Sequence, residues 1–280
     1  MEKINLNLER GFSDSITVTF NFIKQEFKPL LRSFAFIVLP FIFADMFVKS
    51  YVVRQSLSMM IEPSPGLEAS LANLGTTMWS YLSTMIVYFW VGLFAISYIR
   101  VYLDKFNDPG ESLITPGEVW QVMVRNMGKM VLWGFLYMLI VCVGTLLFIV
   151  PGLYFAVAFG CVAYFMVIRG DSISSGMSAS QQLIRGQWWN FFGYIFVLQL
   201  IVGGLSYVFS IPYVVLTFKS MFSQEMPGPY ETTFGIMFST LGQNMLQIIS
   251  VVGIAIRFFS FREQKEHATL LGKIEEMGNE

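Results

Sequence analysis

FIVPGLYFAVAFGCVAYFMVI, from Phe148 to Ile168, is followed after a short polar stretch by RGQWW at Arg185–Trp189. An apolar run arrives at Pro151 and Gly152, turns, and continues apolar to Arg169. Proline followed by glycine is a turn signal, and so long an apolar hairpin with so short a turn suits lipid and not water. The stretch speaks of location and construction. It carries no set of groups that could run a reaction.

The rest of the 280 residues agree. The chain is 55% hydrophobic and 16% aromatic but only 13% charged, about half the usual charged fraction of a soluble domain, roughly 25%, and its mean hydropathy is +0.59. A formal net charge of −1 gives no global field to recruit nucleic acid or an anionic surface, so no nucleic-acid partner is expected. The opening MEKINLNLERGF has no apolar core of a cleaved signal, and the start reads as mature. Cys142 and Cys161 both fall in apolar runs and read as small buried hydrophobes, with no disulfide. With His267 as the sole histidine, a zinc site has no support, and no cofactor is expected.

A helix needs roughly 20 apolar residues to cross the hydrocarbon. Six stretches qualify, at about 33–53, 78–101, 129–150, 152–168, 190–212 and 235–257. The first is the weakest because Asp45 interrupts it, and the fourth is short. With the N-terminus placed in the cytoplasm, the basic residues sort sharply. Inside lie Lys3, Arg10, Lys24, Lys28, Arg32, Arg100, Lys105, Arg125, Lys129, Arg169, Arg185, Arg257, Arg262, Lys265 and Lys273; outside lie Lys49, Arg54 and Lys219. Fifteen against three follows the positive-inside rule for six spans with both termini cytoplasmic. Trp79, Trp133, Trp188 and Trp189 fall at predicted interfaces, where an indole can bury its ring and keep a partner for its N–H.

Each odd-numbered span is preceded by an amphipathic stretch. Over about 13–28, Ile16, Phe20, Ile23 and Phe27 recur at helical spacing. Over about 115–127, Thr115-Pro-Gly-Glu118 is a capping box ahead of Val119, Met123 and Met127, with Trp120 beside them. Over about 172–185, Asp171 or Ser172 can cap, Ile173, Met177, Leu183 and Ile184 are apolar, and Gly186 suits the stop. Pro151 lies 22 residues after Lys129 and Pro212 lies 22 after Asn190. The chain therefore reads as three units, each an interfacial helix followed by a two-span hairpin. In the C-terminal tail, about 262–277, Leu270, Leu271, Ile274 and Met277 share one helical face. The fold class expected is all-α: a polytopic transmembrane bundle of six spans with cytoplasmic interfacial helices, forming one integral membrane domain over 1–280.

The stretch from Phe148 to Trp189 resembles the bacterial family named for the membrane domain of glycerophosphoryl diester phosphodiesterases. The resemblance rests on Phe148, Pro151 and Gly152 as a Phe-x-x-Pro-Gly turn, Ser180 in the following cytoplasmic helix, and Gly186, Trp188 and Trp189 as the entry to the next span. It covers about a third of the chain and implies a bacterial cytoplasmic membrane location. In the proteins that give that family its name, catalysis belongs to a separate soluble barrel with His and carboxylates around a metal. This chain has no residues left for one, so no activity is carried over.

The remaining candidates are polar residues inside spans. Asp45 is the only carboxylate well within one, and burying it costs about 2.5–3.5 kcal/mol. Lys49, one turn on, can pair with it, as Arg100 can with Asp104. Gln199 in span five and Gln243, Asn244 and Gln247 in span six can hold helices together or line a polar cavity. Gly152, Ala156 and Gly160 form a small-residue stripe for a neighbouring helix or a second copy, and Gly203-Gly204 reads as close packing. No catalytic residue is assigned. The expected function is a non-enzymatic scaffold or accessory subunit acting on membrane lipids or on a membrane partner, which could be another membrane protein or a second copy of the chain. The alternative is a transporter or lipid-handling carrier, which needs Asp45 and the glutamines to converge.

Overall fold

Apolar runs longer than a bilayer is thick form long helices here, because a lipid-facing backbone must satisfy its own hydrogen bonds. The computed structural model describes residues 3–61, 66–106, 113–223 and 228–278, and every regular element among them is helical. In chain order these are α1 (Phe12–Gln25), α2 (Phe27–Ile37), α3 (Leu39–Ile61), α4 (Leu67–Phe106), α5 (Pro116–Leu147), α6 (Ile149–Ala158), α7 (Val162–Tyr164), a π turn (Phe165–Arg169), α8 (Ile173–Ile184), α9 (Trp188–Ser223) and α10 (Pro229–Gly278). Five segments are long and apolar enough to cross a membrane: Ser70–Phe106, Pro116–Leu147, Ile149–Arg169, Trp188–Ser223 and Tyr230–His267. A sixth exists if α2 and α3, bent by 57° at their junction, count as one span. The chain is a multi-pass membrane protein. Of the most apolar 18-residue window in each span, 17% is buried in α5 and α9 but 72% in α10. The first two therefore present their side chains outward, to lipid, and α10 is surrounded by protein.

Several boundaries differ from the sequence expectation for physical reasons. The stretch over 115–127 is no separate interfacial helix; it forms the opening turns of α5. Thr115 Oγ accepts from Glu118 N, and Glu118 Oε accepts from Thr115 N at 2.8 Å, closing the expected capping box. Nothing then stops the helix at Gly128, since a lone glycine costs only about 1 kcal/mol in a helix interior. Thr115→Ala should lower stability by about 1 kcal/mol, read as a fall in melting temperature of the detergent-solubilised protein. The tail over 262–277 likewise continues α10; the side chains of Leu270, Leu271, Ile274 and Met277 lie outside the described residues. In the first span the bend is at Val38, where Pro40 has no N–H to continue the ladder. Asp45 does not interrupt its helix.

The hairpin turn is also displaced. Phe148 alone is extended (φ −158°, ψ 143°), and α6 has already begun at Ile149. Pro151 and Gly152 sit in the first turn of α6, where proline's missing N–H is one of the helix's orphan donors anyway. The fourth span is broken at Phe159–Cys161 and resumes as a short α turn and then a π turn. Gly170 ends it at φ +81° and Gly186 ends α8 at φ +83°, left-handed positions that favour glycine.

The chain divides into two compact units. The first comprises Met1–Ser33, Leu93–Gln199 and Ile249–Glu280, and the second Phe34–Gly92 and Leu200–Ile248. α4, α9 and α10 each give one end to each unit, so the spatial units do not follow the three sequence units. The core of the first is aromatic: Phe22, Phe94, Tyr98, Tyr102, Phe191 and Phe258 are fully buried. Its tyrosine hydroxyls find partners, Tyr98 on Glu26 at 2.8 Å, Tyr164 on the Val251 carbonyl at 2.8 Å and Tyr194 on the Gly253 carbonyl at 3.0 Å. α1 buries Ser15, Thr19 and Phe22 and leaves Ile16, Phe20 and Ile23 half-exposed, so its expected apolar stripe is not its buried face. Cys161 is buried and Cys142 exposed, both free; Cys142 lies on the outward-facing α5. In the second unit Phe41 meets Trp90 with ring centroids 4.4 Å apart, and Phe209 meets Phe238 at 5.4 Å.

Candidate functional site

Gly152, Ser180 and Trp188, three of the motif residues around the hairpin, make contacts within the first unit. A Cβ on Gly152 would lie 2.1 Å from Thr145 Oγ1 and 2.7 Å from Thr145 N, so α5 and α6 cross in contact at this glycine. Of the small-residue stripe, Gly152 meets a neighbouring helix, whereas a Cβ on Gly160 would meet only the Ala156 and Val157 carbonyls of its own segment. The break at Phe159–Cys161 frees carbonyls upstream, and two are taken by other helices. Tyr137 donates to the Ala156 carbonyl at 2.9 Å, and Ser180, fully buried on α8, donates to the Ala158 carbonyl at 2.7 Å. Ser180→Ala leaves that acceptor buried and unpaired; it should cost about 1–3 kcal/mol, measured by thermal melting, whereas loss of a surface hydroxyl such as Ser174 should not register. Trp188 donates to the Tyr154 carbonyl at 3.4 Å and stacks on Phe192 with centroids 5.2 Å apart. Trp189 is exposed, while Trp133, expected at an interface, is buried against Tyr137 and Phe159.

The intramembrane polar candidates each have partners of their own. Asp45 is 3% exposed, paired with Lys49 Nζ at 2.8 Å and accepting from Ser83 Oγ at 2.6 Å. Gln243 donates to Ser210 and Ser239 at 3.1 and 2.9 Å, and Asn244 donates to its own helix at Thr240. Gln247 reaches the Tyr88 carbonyl at 3.5 Å. Gln199 belongs to the other unit, where its Oε1 accepts from Ser250 at 3.2 Å. The buried Oδ1 of Asn244 and Oε1 of Gln247 accept no hydrogen bond. A Cβ added to Gly203 or Gly204 would meet nothing within 4 Å, so they are not a close-packing site. Among the described residues no three of His, Cys, Asp and Glu lie close enough to hold a metal ion.

Sequence reasoning missed a polar hub in the first unit. Arg257 on α10, counted there as an interfacial cation, is 4% exposed. It donates to the Arg10 carbonyl at 2.9 Å and to Asn190 Oδ1 at 2.6 Å, and its guanidinium lies 4.4 Å from the Phe261 ring centroid. Its contacts fasten the non-helical segment 3–11 across the core. Arg10 N donates to Ser260 Oγ at 2.9 Å, Arg262 donates to Asn7, and Tyr102 donates to the Ile4 carbonyl. Burial lowers the pKa of Arg10 from its ordinary value, with Asp14 acting the other way. The one available sequence signal was Arg257 itself, four residues before the aromatic Phe261 and following an uncharged run.

Two cavities of the first unit open among basic residues. One, of about 530 Å³, is lined by Phe165, Arg169, Gln182, Arg262, Lys265 and one carboxylate, Glu266, among others. The other, of about 250 Å³, is lined by Arg100, Arg125, Asn126, Lys129, Ile168 and Arg169 with their neighbours. The expected pair of Arg100 with Asp104 is present at 3.1 Å, and Arg100 also donates to the Ile168 carbonyl. Lys105, on the same helix, is buried and paired with Glu118 at 2.9 Å.

Residues 115–261 match a family described as a domain of unknown function (DUF7847). The match begins at the Thr115 cap and spans more than half of the chain. It takes in the broken span, Ser180 and Arg257. No curated protein and no solved structure matches the chain. The chain belongs to the DUF7847 family.

Proposed function

We propose that this member of the DUF7847 family is a non-enzymatic membrane scaffold or accessory subunit, working on lipids or a membrane partner from its basic face. The observation that supports this most is where the first unit is open. Both cavities lie among the arginines and lysines at span ends, and Arg169 lines each of them. Asp45, the residue a coupled carrier would need most, is closed off by Lys49 and Ser83. We assign the basic face to the cytoplasmic side on the distribution of Lys and Arg, and the membrane to a bacterial inner membrane on the family resemblance alone. The resemblance to the membrane domain of glycerophosphoryl diester phosphodiesterases is retained as kinship of the membrane part alone.

Crosslinking in native membranes followed by mass spectrometry tests the reading. A reproducible partner crosslinked through residues of the basic face is the expected result. Recovery of the chain only as an uncrosslinked monomer would remove the basis for a scaffold. A carrier remains the second reading, favoured by the two unpaired buried oxygens of Asn244 and Gln247, which a polar cargo or its water could satisfy. It predicts that Gln247→Leu abolishes uptake of a cargo into vesicles while leaving partner crosslinks in place.

A further inference from the structure

We infer that the smaller cavity of the first unit is a site for a phosphate-bearing anion, with an anionic lipid headgroup as its natural source. Three elements converge on it: the end of α4 brings Arg100, α5 brings Arg125 and Lys129, and the π turn brings Arg169. Among the described residues, four cations and no carboxylate line about 250 Å³. Arg100 and Arg169 are partly compensated from outside the lining, by Asp104 at 3.1 Å and Asp171 at 3.6 Å. Arg125 and Lys129 have no acidic partner among the described residues. The local charge is therefore unbalanced in a protein whose overall charge is −1.

The depth of the cavity selects the ligand. No charged residue occurs between Lys129 and Arg169, so the cavity lies where the apolar hairpin meets its first charges, at the level of lipid headgroups. Guanidinium groups match phosphate oxygens through paired charge-assisted hydrogen bonds. The neighbouring surface of α5 is apolar and exposed at Val131, Leu132 and Phe135, which suits the acyl chains of the same molecule. A choline headgroup would bring its own cation against these arginines, so phosphatidylglycerol is favoured over phosphatidylcholine. The π turn contributes shape: the Phe165 carbonyl accepts from both Gly170 N and Asp171 N, and Arg169 lies over the Phe165 ring at 5.3 Å. That holds the fourth cation on its side of the opening. The inference gives the proposed scaffold a ligand, and it is tested by lipid binding alone, whereas partner crosslinking tests the scaffold.

The test is native mass spectrometry of the full chain in a neutral detergent, titrated in parallel with phosphatidylglycerol, phosphatidylcholine and glycerol 1-phosphate. Phosphatidylglycerol should bind tightest to the unaltered chain. Removing two cations in Arg125→Gln/Lys129→Gln should weaken it roughly twentyfold to thirtyfold, and Lys129→Gln alone about fivefold, at the usual strength of a basic residue near an anionic surface. Lys24→Gln, at an exposed cation of α1, should leave the preference unchanged. Both cavity residues are exposed, and the single variant keeps the test decisive if the double variant is poorly folded. Binding of glycerol 1-phosphate that the double variant loses, without lipid preference, would support the phosphate site and reassign its source to a soluble ester. Equal binding of both lipids with no phosphate-ester binding, or a preference that survives both cavity variants, would overturn it.

Discussion

Arg257→Lys should destabilise the protein more than Arg257→Met does, although lysine keeps the charge and methionine discards it. The guanidinium is buried and, among the described residues, has no carboxylate beside it. It is stabilised by two good acceptors, the Arg10 carbonyl and Asn190, and by the Phe261 and Tyr194 rings at 4.4 and 5.7 Å. A lysine at the same Cα has a compact, strongly hydrated charge and cannot span both acceptors. It would bury an ammonium with one partner, and an undercompensated buried charge costs about 3–5 kcal/mol. Methionine removes the charge and fills most of the volume. The acceptors it leaves are not stranded: the Arg10 carbonyl still receives Ser260 Oγ at 3.0 Å, and Asn190 is exposed to rehydration. Its cost should be about 1–3 kcal/mol, the range for lost hydrogen bonds to a charged group. Thermal melting of the purified variants in one detergent decides the order. A lysine variant as stable as the unaltered protein would mean that water or lipid reaches Arg257 and that it is not a buried hub.

What the sequence made legible, and what it hid, divides along one physical line. Features set by local chemistry were readable. Thr115 and Glu118 form their capping box, Ser172 caps α8, Gly186 takes the left-handed stop, and Arg100 meets Asp104. The spans were readable for the same reason, since hydrocarbon demands a minimum apolar length whatever the neighbours are. Features set by tertiary contact were not. Segment 3–11 has no helical periodicity, and its order comes from Ser260, Arg257 and Arg262, some 250 residues away. The break at Phe159–Cys161 has no proline to announce it; it is tolerated because Tyr137 and Ser180 donate to the freed carbonyls. Ser180 was noticed as part of a pattern, but only the structure assigns it a partner. From sequence, Asp45 and the glutamines group only as polar residues inside predicted spans. Depth can be read from a hydropathy profile, but the face of a helix that meets a neighbour cannot, and each of these side chains has a different partner.

Gly152→Ala should be among the most damaging single-methyl additions in the first unit. The added Cβ would sit 2.1 Å from Thr145 Oγ1, 2.7 Å from Thr145 N and 2.8 Å from Thr145 Cα. A hydroxyl can rotate away, but the two backbone atoms can give way only if α5 and α6 separate. Gly144 closes the same crossing from the other side, with a Cβ there 3.0 Å from Gly152 Cα, so the strain cannot be relieved by sliding along the helix. Overpacking of this kind costs about 1–3 kcal/mol or more, and here it acts at the tip that sets the path of both spans. Thr145→Gly combined with Gly152→Ala should recover only part of the loss, because the offending backbone remains. Gly193→Ala on α9 is the counterpart: nothing lies within 4 Å of its Cβ position, and alanine favours a helix by about 1 kcal/mol over glycine. It should melt at or above the temperature of the unaltered protein. If Gly152→Ala and Gly193→Ala melted together, the contact between α5 and α6 would have to be looser than the crossing at Gly144 and Gly152 requires. The hairpin would then be closed by its extended Phe148 turn alone.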